Sequence, residues 1–256
     1  MKFTALMICF FINIIISFGI PIGAFIYFIV KKKRCIKPFI VGIIVFLITQ
    51  VFLRIPLLQN VLINMDWYNN LSVFYPVLYA LFLGITAGIF EEGGRYLGFK
   101  LALKNNRRWI DGIAFGFGHG GIEAILIVGL SSIKNLITLI SLNNGTYLGG
   151  NAESLKSLYL ELSNINVLFG GIERISAITI HIGLTLIVLY GINKKQIRYL
   201  ILAIIIHGAI DFMSGIFVMS RMNMVFSELL IGTFSLGLLI FTIKSRKLFK
   251  NVLKKL

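Results

Sequence analysis

Charged residues are scarce in this sequence, and acidic residues are the scarcest. Only 14% of its 256 residues are charged and ten are acidic, whereas about a quarter of the residues in an average soluble domain are charged. Hydrophobic residues make up 57% of the chain, and the mean hydropathy is +0.90. These values exclude a water-soluble globular domain and predict a helical membrane protein.

Cysteine is also rare, with two residues in the chain. Cys9 lies within the first apolar run, and Cys35 lies in a basic loop. Their positions fit neither a disulfide framework nor a cysteine-based metal site. We therefore expect two reduced thiols and no covalent cross-link.

Seven apolar runs are long enough to cross a bilayer, since a spanning helix needs about 20 mostly apolar residues. They lie at about 4–30, 38–58, 71–100, 109–134, 165–192, 199–220 and 224–243. The first run is longer than a signal-peptide core and lacks a small-residue cleavage site, so we expect a retained helix. The sequence therefore predicts an all-α fold, a polytopic bundle of about seven transmembrane helices.

Lysine and arginine residues cluster after every odd-numbered apolar run. The clusters are Lys31, Lys32, Lys33, Arg34 and Lys37; Lys100, Lys104, Arg107 and Arg108; Lys194, Lys195 and Arg198; and the tail from Lys244 to Lys255. Cytoplasmic loops are enriched in these residues, so the N-terminus is predicted outside and the C-terminus in the cytoplasm. The net charge of +15 is thus a topology signal and does not predict a nucleic-acid partner.

The chain is predicted to form one membrane domain, residues 1–243, followed by a basic cytoplasmic tail, residues 244–256. In the tail, Leu248, Val252 and Leu256 recur every four residues with lysines opposite. This pattern predicts an amphipathic helix on anionic lipid. Residues 143–164 form the longest external connection and are expected to be a solvated loop, with a lid or re-entrant segment as the alternative.

Titratable side chains interrupt four apolar runs at one depth. Counted from the predicted cytoplasmic ends, Glu91, His119, His181 and His207 each lie roughly 13–17 Å inside the boundary, at 1.5 Å per residue. The three histidines in this set are all the histidines of the sequence. Titratable groups in a membrane core are energetically costly, so a shared depth on four helices predicts one functional cluster.

Neighbouring polar residues share helix faces with this cluster. The pairs spaced four residues apart are Glu91 with Arg95, His119 with Glu123, and His207 with Asp211. Residues at this spacing can contact each other on a helix, so Glu91 is predicted to pair with Arg95. Glu92 lies at the edge of the same face.

A second set of polar residues lies nearer the predicted outer half of the membrane. Glu173 and Arg174 are expected to form a structural ion pair, and Glu123 is expected to pair with Arg174 or Arg95. Glycines accompany the polar stripes at Gly84 and Gly88 and at Gly112, Gly116 and Gly120. Small residues at this spacing predict close helix–helix approach.

Carboxylates and imidazoles that meet in a low-dielectric cavity suit hydrolysis. A glutamate can take a proton from water, while a histidine holds that water or donates to a developing oxyanion. Alternatively, His119, His181 and His207 could bind a divalent metal such as zinc, whose bound water would be the nucleophile. The spacing of these residues leaves both alternatives open.

The order of these motifs resembles that of the YhfC-like membrane peptidases. That group belongs to the wider superfamily of CAAX prenyl endopeptidases and bacteriocin-processing intramembrane proteases. The matching motifs are Glu91-Glu92-x-x-Arg95, Phe115-x-x-x-His119, Glu173-Arg174 with His181, and His207-x-x-x-Asp211. The resemblance covers the third to sixth helices, about half of the chain.

The resemblance implies roles for individual residues. Glu91 would be the base, His119 would hold the attacking water, and His207 with Asp211 would stabilise the tetrahedral intermediate. In the CAAX enzymes the arginine is one residue further from the paired glutamates, which keeps Glu92 as an alternative base. Asp211 stands where an asparagine is usual, so it would be protonated, orient His207 or contact a metal.

The remaining polar residues of these helices are interpreted as supporting the site. They are Arg95, Glu123, Glu173, Arg174 and His181. His181 is an additional histidine relative to the resembling superfamily, and it keeps the metal alternative open.

The favoured function is an intramembrane endopeptidase of a bacterial cell membrane. It would cut a peptide or membrane-protein substrate presented from the cytoplasmic side, with the lipid bilayer as its other partner. The alternative is a non-catalytic scaffold or bacteriocin-immunity-type protein that retains the protease fold. A proton-coupled transporter ranks lower, because the polar residues gather at one level instead of forming a chain across the bilayer.

Overall fold

Long apolar helices make up most of the chain in the computed structural model, which describes residues 3–220 and 224–253. Side chains are described throughout these ranges except at 218 and 251–253. The helices are α1 (Thr4–Lys31), α2 (Ile36–Phe46), α3 (Asp66–Phe74), α4 (Pro76–Leu101), α5 (Trp109–Ala124), α6 (Leu130–Asn144), α7 (Ala152–Glu161), α8 (Asn164–Lys194), α9 (Arg198–Met219) and α10 (Met224–Leu253). No strand occurs in the described ranges, so the predicted all-α class is confirmed.

Seven of the helical segments are long and apolar enough to cross a membrane. They are Thr4–Lys31, Lys33–Asn64, Pro76–Leu101, Trp109–Asn144, Asn164–Lys194, Arg198–Phe217 and Met224–Lys250. Each matches one predicted run, which confirms the predicted multi-pass bundle. The placement of the N-terminus outside stays a prediction.

The second and fourth spans extend beyond the predicted runs, and both contain π-helical turns. Leu47–Arg54 and Leu57–Val61 extend α2, and Ile125–Gly129 joins α5 to α6. A π turn inserts an extra residue and rotates the side chains that follow it, and such turns are frequent at functional sites. In the second span this rotation affects Gln50 and Arg54, which both belong to the first π segment.

The connection at 143–164, which the sequence predicts to be external, is not a plain solvated loop, contrary to the sequence-based expectation. It contains α7, whose Tyr159 is buried and donates a hydrogen bond to Asn135 Oδ1 at 2.7 Å. Tyr159 also makes an edge-to-face contact with Phe3, with ring centroids 6.5 Å apart. Through these two contacts, the Tyr159 side chain holds α7 against α6 and the start of α1.

Helix α8 lies at the centre of the bundle, packed against α1, α4, α5, α9 and α10. The predicted close approaches occur at glycines. A Cβ added at Gly116 would lie 2.6 Å from Ile182 Cα, and one at Gly88 would lie 2.7 Å from the Ile204 carbonyl oxygen. Glycine therefore lets α5 contact α8, and α4 contact α9, at backbone distance.

Helix α10 continues without a break through residue 244, where the sequence predicts a separate tail to begin. Ser245 and Phe249 are buried against the bundle, whereas Leu248 is exposed. The Trp109 indole N–H donates to the Thr242 carbonyl at 3.1 Å. The predicted apolar stripe continues beyond Leu248 to residues 252 and 256, which lie outside the described side chains.

Candidate active site

One carboxylate oxygen of Glu91 is the point on which three helices converge. Glu91 Oε2 lies 2.9 Å from His119 Nε2, and 3.8 Å from both His181 Nδ1 and His207 Nε2. Glu91 and the three imidazoles are buried. The structure therefore brings together the four residues that the sequence places at one depth.

The close helix contacts determine this convergence. Gly88 lies one turn before Glu91 on α4, where it contacts the α9 backbone three residues before His207. Gly116 lies one turn before His119 on α5, and it contacts Ile182, the residue after His181. Larger residues at these glycines would move the histidines away from Glu91.

The other oxygen of Glu91 accepts a hydrogen bond from the amide nitrogen of Gln50. Arg54 in turn donates to the Gln50 amide oxygen at 3.2 Å and to the Leu83 carbonyl at 2.7 Å. Because the guanidinium can only donate, it fixes which end of the Gln50 amide faces Glu91. The sequence analysis did not select Gln50 or Arg54. The signal that could have found them is their spacing of four residues, as two polar side chains inside an apolar run.

Glu92, not Glu91, is the partner of Arg95, so the predicted Glu91–Arg95 pair is wrong. Arg95 forms a buried ion pair with Glu92 Oε1, and His207 Nδ1 lies 2.7 Å from the same oxygen. On a helix, Arg95 can reach either Glu92, three residues before it, or Glu91, four residues before it. Here Glu92 faces α9, while Glu91 faces α5 and the second span.

His181 links Glu91 to a second carboxylate. His181 Nε2 lies 2.5 Å from Glu123 Oε2, and Arg174 NH1 lies 3.1 Å from Glu123 Oε1. Arg174 also pairs with Glu173 at 2.5 Å. The predicted Glu173–Arg174 and Glu123–Arg174 ion pairs are thus both present.

Asp211 lies at the margin of the cluster. Its Oδ2 is 3.7 Å from His207 Nε2, and 41% of its side chain is exposed. It makes no direct hydrogen bond to His207 among the described contacts, so it does not fix the orientation of that ring. Glu92 does so from the opposite nitrogen.

A cavity of about 490 Å³ adjoins the cluster and is lined by Glu91, His181, His207 and Asp211. On α4, the lining residues from Tyr79 to Gly84 all precede Glu91, and on α9 they extend from His207 to Met219. Since α4 ends and α9 begins at basic loops, the cavity extends away from them. If the basic loops are cytoplasmic, as the sequence predicts, this direction is opposite to the expected cytoplasmic presentation of the substrate.

The residues present fit a divalent metal. Donor atoms of Glu91, His119 and His181 all lie within 4.8 Å of one another, and a carboxylate with two imidazoles is a donor set of catalytic zinc sites. Glu123 beside His181 is a carboxylate partner of the kind that orients histidine ligands at metal centres. The set differs from the sequence-based one in that Glu91 replaces His207.

The charges around the cluster also fit a divalent cation. The carboxylates in it or along its cavity are Glu91, Glu92, Glu123, Glu173 and Asp211, and the guanidiniums are Arg54, Arg95 and Arg174. With these groups ionised and the histidines neutral, two negative charges are left unbalanced. Unpaired buried charges are unfavourable, so a divalent cation would neutralise the site.

One contact competes with metal binding. Arg95 NH2 lies 3.1 Å from His181 Nδ1, the nitrogen that faces Glu91. A cation held by His181 therefore requires the Arg95 guanidinium to stay with Glu92 alone.

The bundle and its buried glutamate–histidine cluster define a polytopic membrane protein with a candidate hydrolytic site. A model of the family described as YhfC intramembrane metalloprotease matches residues 16–231, and the chain belongs to that family. The chain is also 35% identical over 201 residues to a Bacillus subtilis (strain 168) protein named "Uncharacterized membrane protein YhfC". That match covers 75% of this chain and 78% of the relative. No solved structure matches the chain.

The relationship agrees with a multi-pass protein of a bacterial membrane and with a membrane protease in general. It agrees equally with the donor set at Glu91, since the family is one of metalloproteases.

Proposed function

We propose that this protein is an intramembrane endopeptidase whose reaction takes place at Glu91, His119 and His181. The observation that carries the proposal is the convergence of three imidazoles on Glu91 Oε2 at the wall of a cavity. A site of this kind concentrates hydrolytic groups where water is scarce and a peptide bond can enter. The proposed substrate is a peptide or a membrane-protein segment.

Glu91, His119 and His181 would hold the divalent cation. Such an ion supplies a water acidic enough to be deprotonated near neutral pH and a Lewis acid for the peptide carbonyl. Gln50 would keep Glu91 in place through its hydrogen bond to the second carboxylate oxygen. Glu123 would orient His181 so that Nδ1 faces Glu91.

His207 is the proposed proton carrier. Glu92 accepts from Nδ1, which leaves Nε2 as the basic nitrogen toward Glu91 and the cavity. His207 Nε2 can take a proton from water and return it to the leaving amine, as general acid–base catalysis requires. Asp211 lies 3.7 Å from Nε2 and is partly exposed, so it would contribute little to this step.

A metal-free mechanism would use the same residues in other roles. Glu91 Oε2 would take the proton from water and His119 would hold that water, as the sequence resemblance implies. The Arg95 contact to His181 Nδ1 supports this version. Metal content distinguishes the two mechanisms, whereas substitution of Glu91 abolishes activity in both.

The cavity also supports a route for the substrate. It leads from Glu91 past Tyr79 and Met219 to the end of the bundle opposite the basic loops. If those loops are cytoplasmic, as the positive-inside rule predicts, the scissile segment enters from the external half of the membrane.

The test compares wild type, Glu91→Gln and Gly93→Ala, expressed at matched levels in the native host deleted for the gene. Gly93 is a matched control, because a Cβ added there meets no atom within 4 Å. New peptide N-termini are then identified in the membrane and the medium. We expect a set of termini shared by wild type and Gly93→Ala and missing with Glu91→Gln. Identical profiles for all three variants, with folded Glu91→Gln, would exclude a peptidase.

A further inference from the structure

A second cavity, of about 700 Å³, lies at the end of the bundle that carries the basic loops. It is enclosed by the connection from α4 to α5 and the turn from α8 to α9. Its lining residues are Tyr96, Lys100, Lys104, Asn105, Arg107, Arg108, Gly191, Ile192, Asn193, Lys195, Gln196 and Ile197. None of them lines the cavity at Glu91, so the two cavities are separate.

The charges on the walls of this cavity all have one sign. Five lining residues are cationic and none is acidic. Arg108 is neutralised by Asp111 at 2.7 Å, but the other four have no ion pair among the described residues. The Arg107 Nε atom is buried and has no hydrogen-bond partner there. Uncompensated like charges around one cavity repel each other, so a bound anion would stabilise this end of the bundle.

Hydrogen bonds to the backbone fix the wall of the cavity, from which the exposed lysine side chains extend. Asn193 donates to the Arg107 carbonyl at 3.0 Å, which ties the α4–α5 connection to α8. Lys195 ends α8 in the left-handed conformation, with φ of 56°. The backbone N–H of Gln196 then donates to the Gly191 carbonyl at 2.9 Å. These contacts set the distance between Arg107 and Lys195 across the cavity.

Apolar side chains exposed beside the cavity indicate what kind of anion would bind. Ile197 lines the cavity just before α9 begins, and Ile201 lies one turn further along on α9. Each is about half exposed or more. Such side chains at a membrane boundary contact acyl chains, which a free phosphate ion does not have.

We propose that this cavity binds the phosphate headgroup of an anionic phospholipid. The headgroup oxygens accept from Arg107, Lys104 and Lys195, and the acyl chains lie along the exposed Ile197 and Ile201. Basic pockets between transmembrane helices bind anionic lipids by this combination of charge and chain contact. Tyr96 lines the cavity and follows Arg95, so a bound lipid would also steady the α4 turn beside the active site.

The test is native mass spectrometry of the purified full chain in detergent, titrated with phosphatidylglycerol or with phosphatidylcholine. We expect one phosphatidylglycerol to be retained per chain and phosphatidylcholine to bind at least about tenfold more weakly, because each basic group near the lipid adds about a factor of five. Equal retention of the two lipids would overturn the proposal.

Variants locate the binding. Lys104→Gln/Arg107→Gln/Lys195→Gln should weaken phosphatidylglycerol binding by about tenfold or more. The matched control, Lys33→Gln/Arg34→Gln/Lys37→Gln, removes the same charge from exposed residues outside the cavity and should leave binding unchanged. An equal loss in the control would overturn the proposal.

Two further arms complete the design. Lys104→Gln/Lys195→Gln changes only exposed residues, so its weaker binding should persist in protein whose melting temperature is normal. Inorganic phosphate at millimolar concentration should leave the lipid bound. Displacement of the lipid by phosphate would assign the cavity to free phosphate and overturn the lipid proposal.

Discussion

The Gln50 amide nitrogen donates a hydrogen bond to Glu91 from a helix in which the sequence shows no histidine or acidic residue. Gln50 lies in the π-helical segment Leu47–Arg54. The second span thus supplies the group that fixes the carboxylate, while α5, α8 and α9 supply the imidazoles around it. Glu91 is held from both oxygens before any substrate arrives, which is the preorganisation that catalysis requires.

Gln50→Leu should weaken the site without unfolding the bundle. The substitution removes the hydrogen bond to Glu91 and leaves Arg54 with the Leu83 carbonyl. Loss of a group that orients a metal ligand costs about 10–100-fold in metal affinity or activity. Competition with a metal chelator measures the affinity. The control is Gln59→Leu, an exposed glutamine nearby in the same span, for which no change is expected.

The two adjacent glutamates should respond differently to the same substitution. Glu92→Gln leaves the buried Arg95 guanidinium without its counter-ion, which costs about 3–5 kcal/mol. Glu91 contacts histidines and Gln50 and has no arginine partner among the described residues, so Glu91→Gln leaves no guanidinium unpaired. The melting temperature of Glu91→Gln should therefore stay close to that of wild type, while activity is lost. Thermal unfolding in detergent measures both. Equal melting temperatures for the two variants would contradict the assignment of Arg95 to Glu92.

Gly88→Ala should displace α9. The new Cβ would lie 2.7 Å from the Ile204 carbonyl oxygen, so the helices must separate, at a cost of about 1–3 kcal/mol. The displacement carries His207 away from Glu91 and Glu92 and lowers activity. Gly93→Ala on the same helix meets no neighbour and should match wild type in melting temperature and activity. Equal melting temperatures and activities for Gly88→Ala and Gly93→Ala would show that the close approach of α4 to α9 has no effect on the site.

Asp211→Asn should keep activity within about threefold of wild type, because Asp211 is partly exposed and makes no direct hydrogen bond to His207. An amide at this position can still contact the cavity and can donate to a developing oxyanion. The measurement is the yield of the peptide termini that depend on Glu91. A loss beyond about tenfold would assign Asp211 a role that only a carboxylate can perform.

The fold was predictable because membrane burial leaves a strong signal in the sequence. An apolar run of the second span or of α8 can satisfy its backbone inside a bilayer only as a helix. The depth of Glu91, His119, His181 and His207 followed from helix rise alone, and the structure brings these residues together. Glycine spacing indicated close contacts of α5 with α8 and of α4 with α9.

The contacts inside the site were less predictable. Spacing alone allowed Arg95 to reach either glutamate, and only the direction of α9 decides that it pairs with Glu92 beside His207. The π-helical turns shift Gln50 and Arg54 relative to a regular helix, so a 3.6-residue period does not place them. The direction of the cavity depends on side-chain packing between α4 and α9, which no local pattern encodes.

The metal content of active protein tests whether Glu91, His119 and His181 form a hydrolytic metal centre. Wild type should contain about one divalent ion per chain, as a single catalytic site requires. His119→Ala should lose that ion, and circular dichroism checks that the variant is still helical. Fully active wild type with less than about a tenth of an ion per chain would contradict the metal centre and leave Glu91 as the base of a metal-free peptidase.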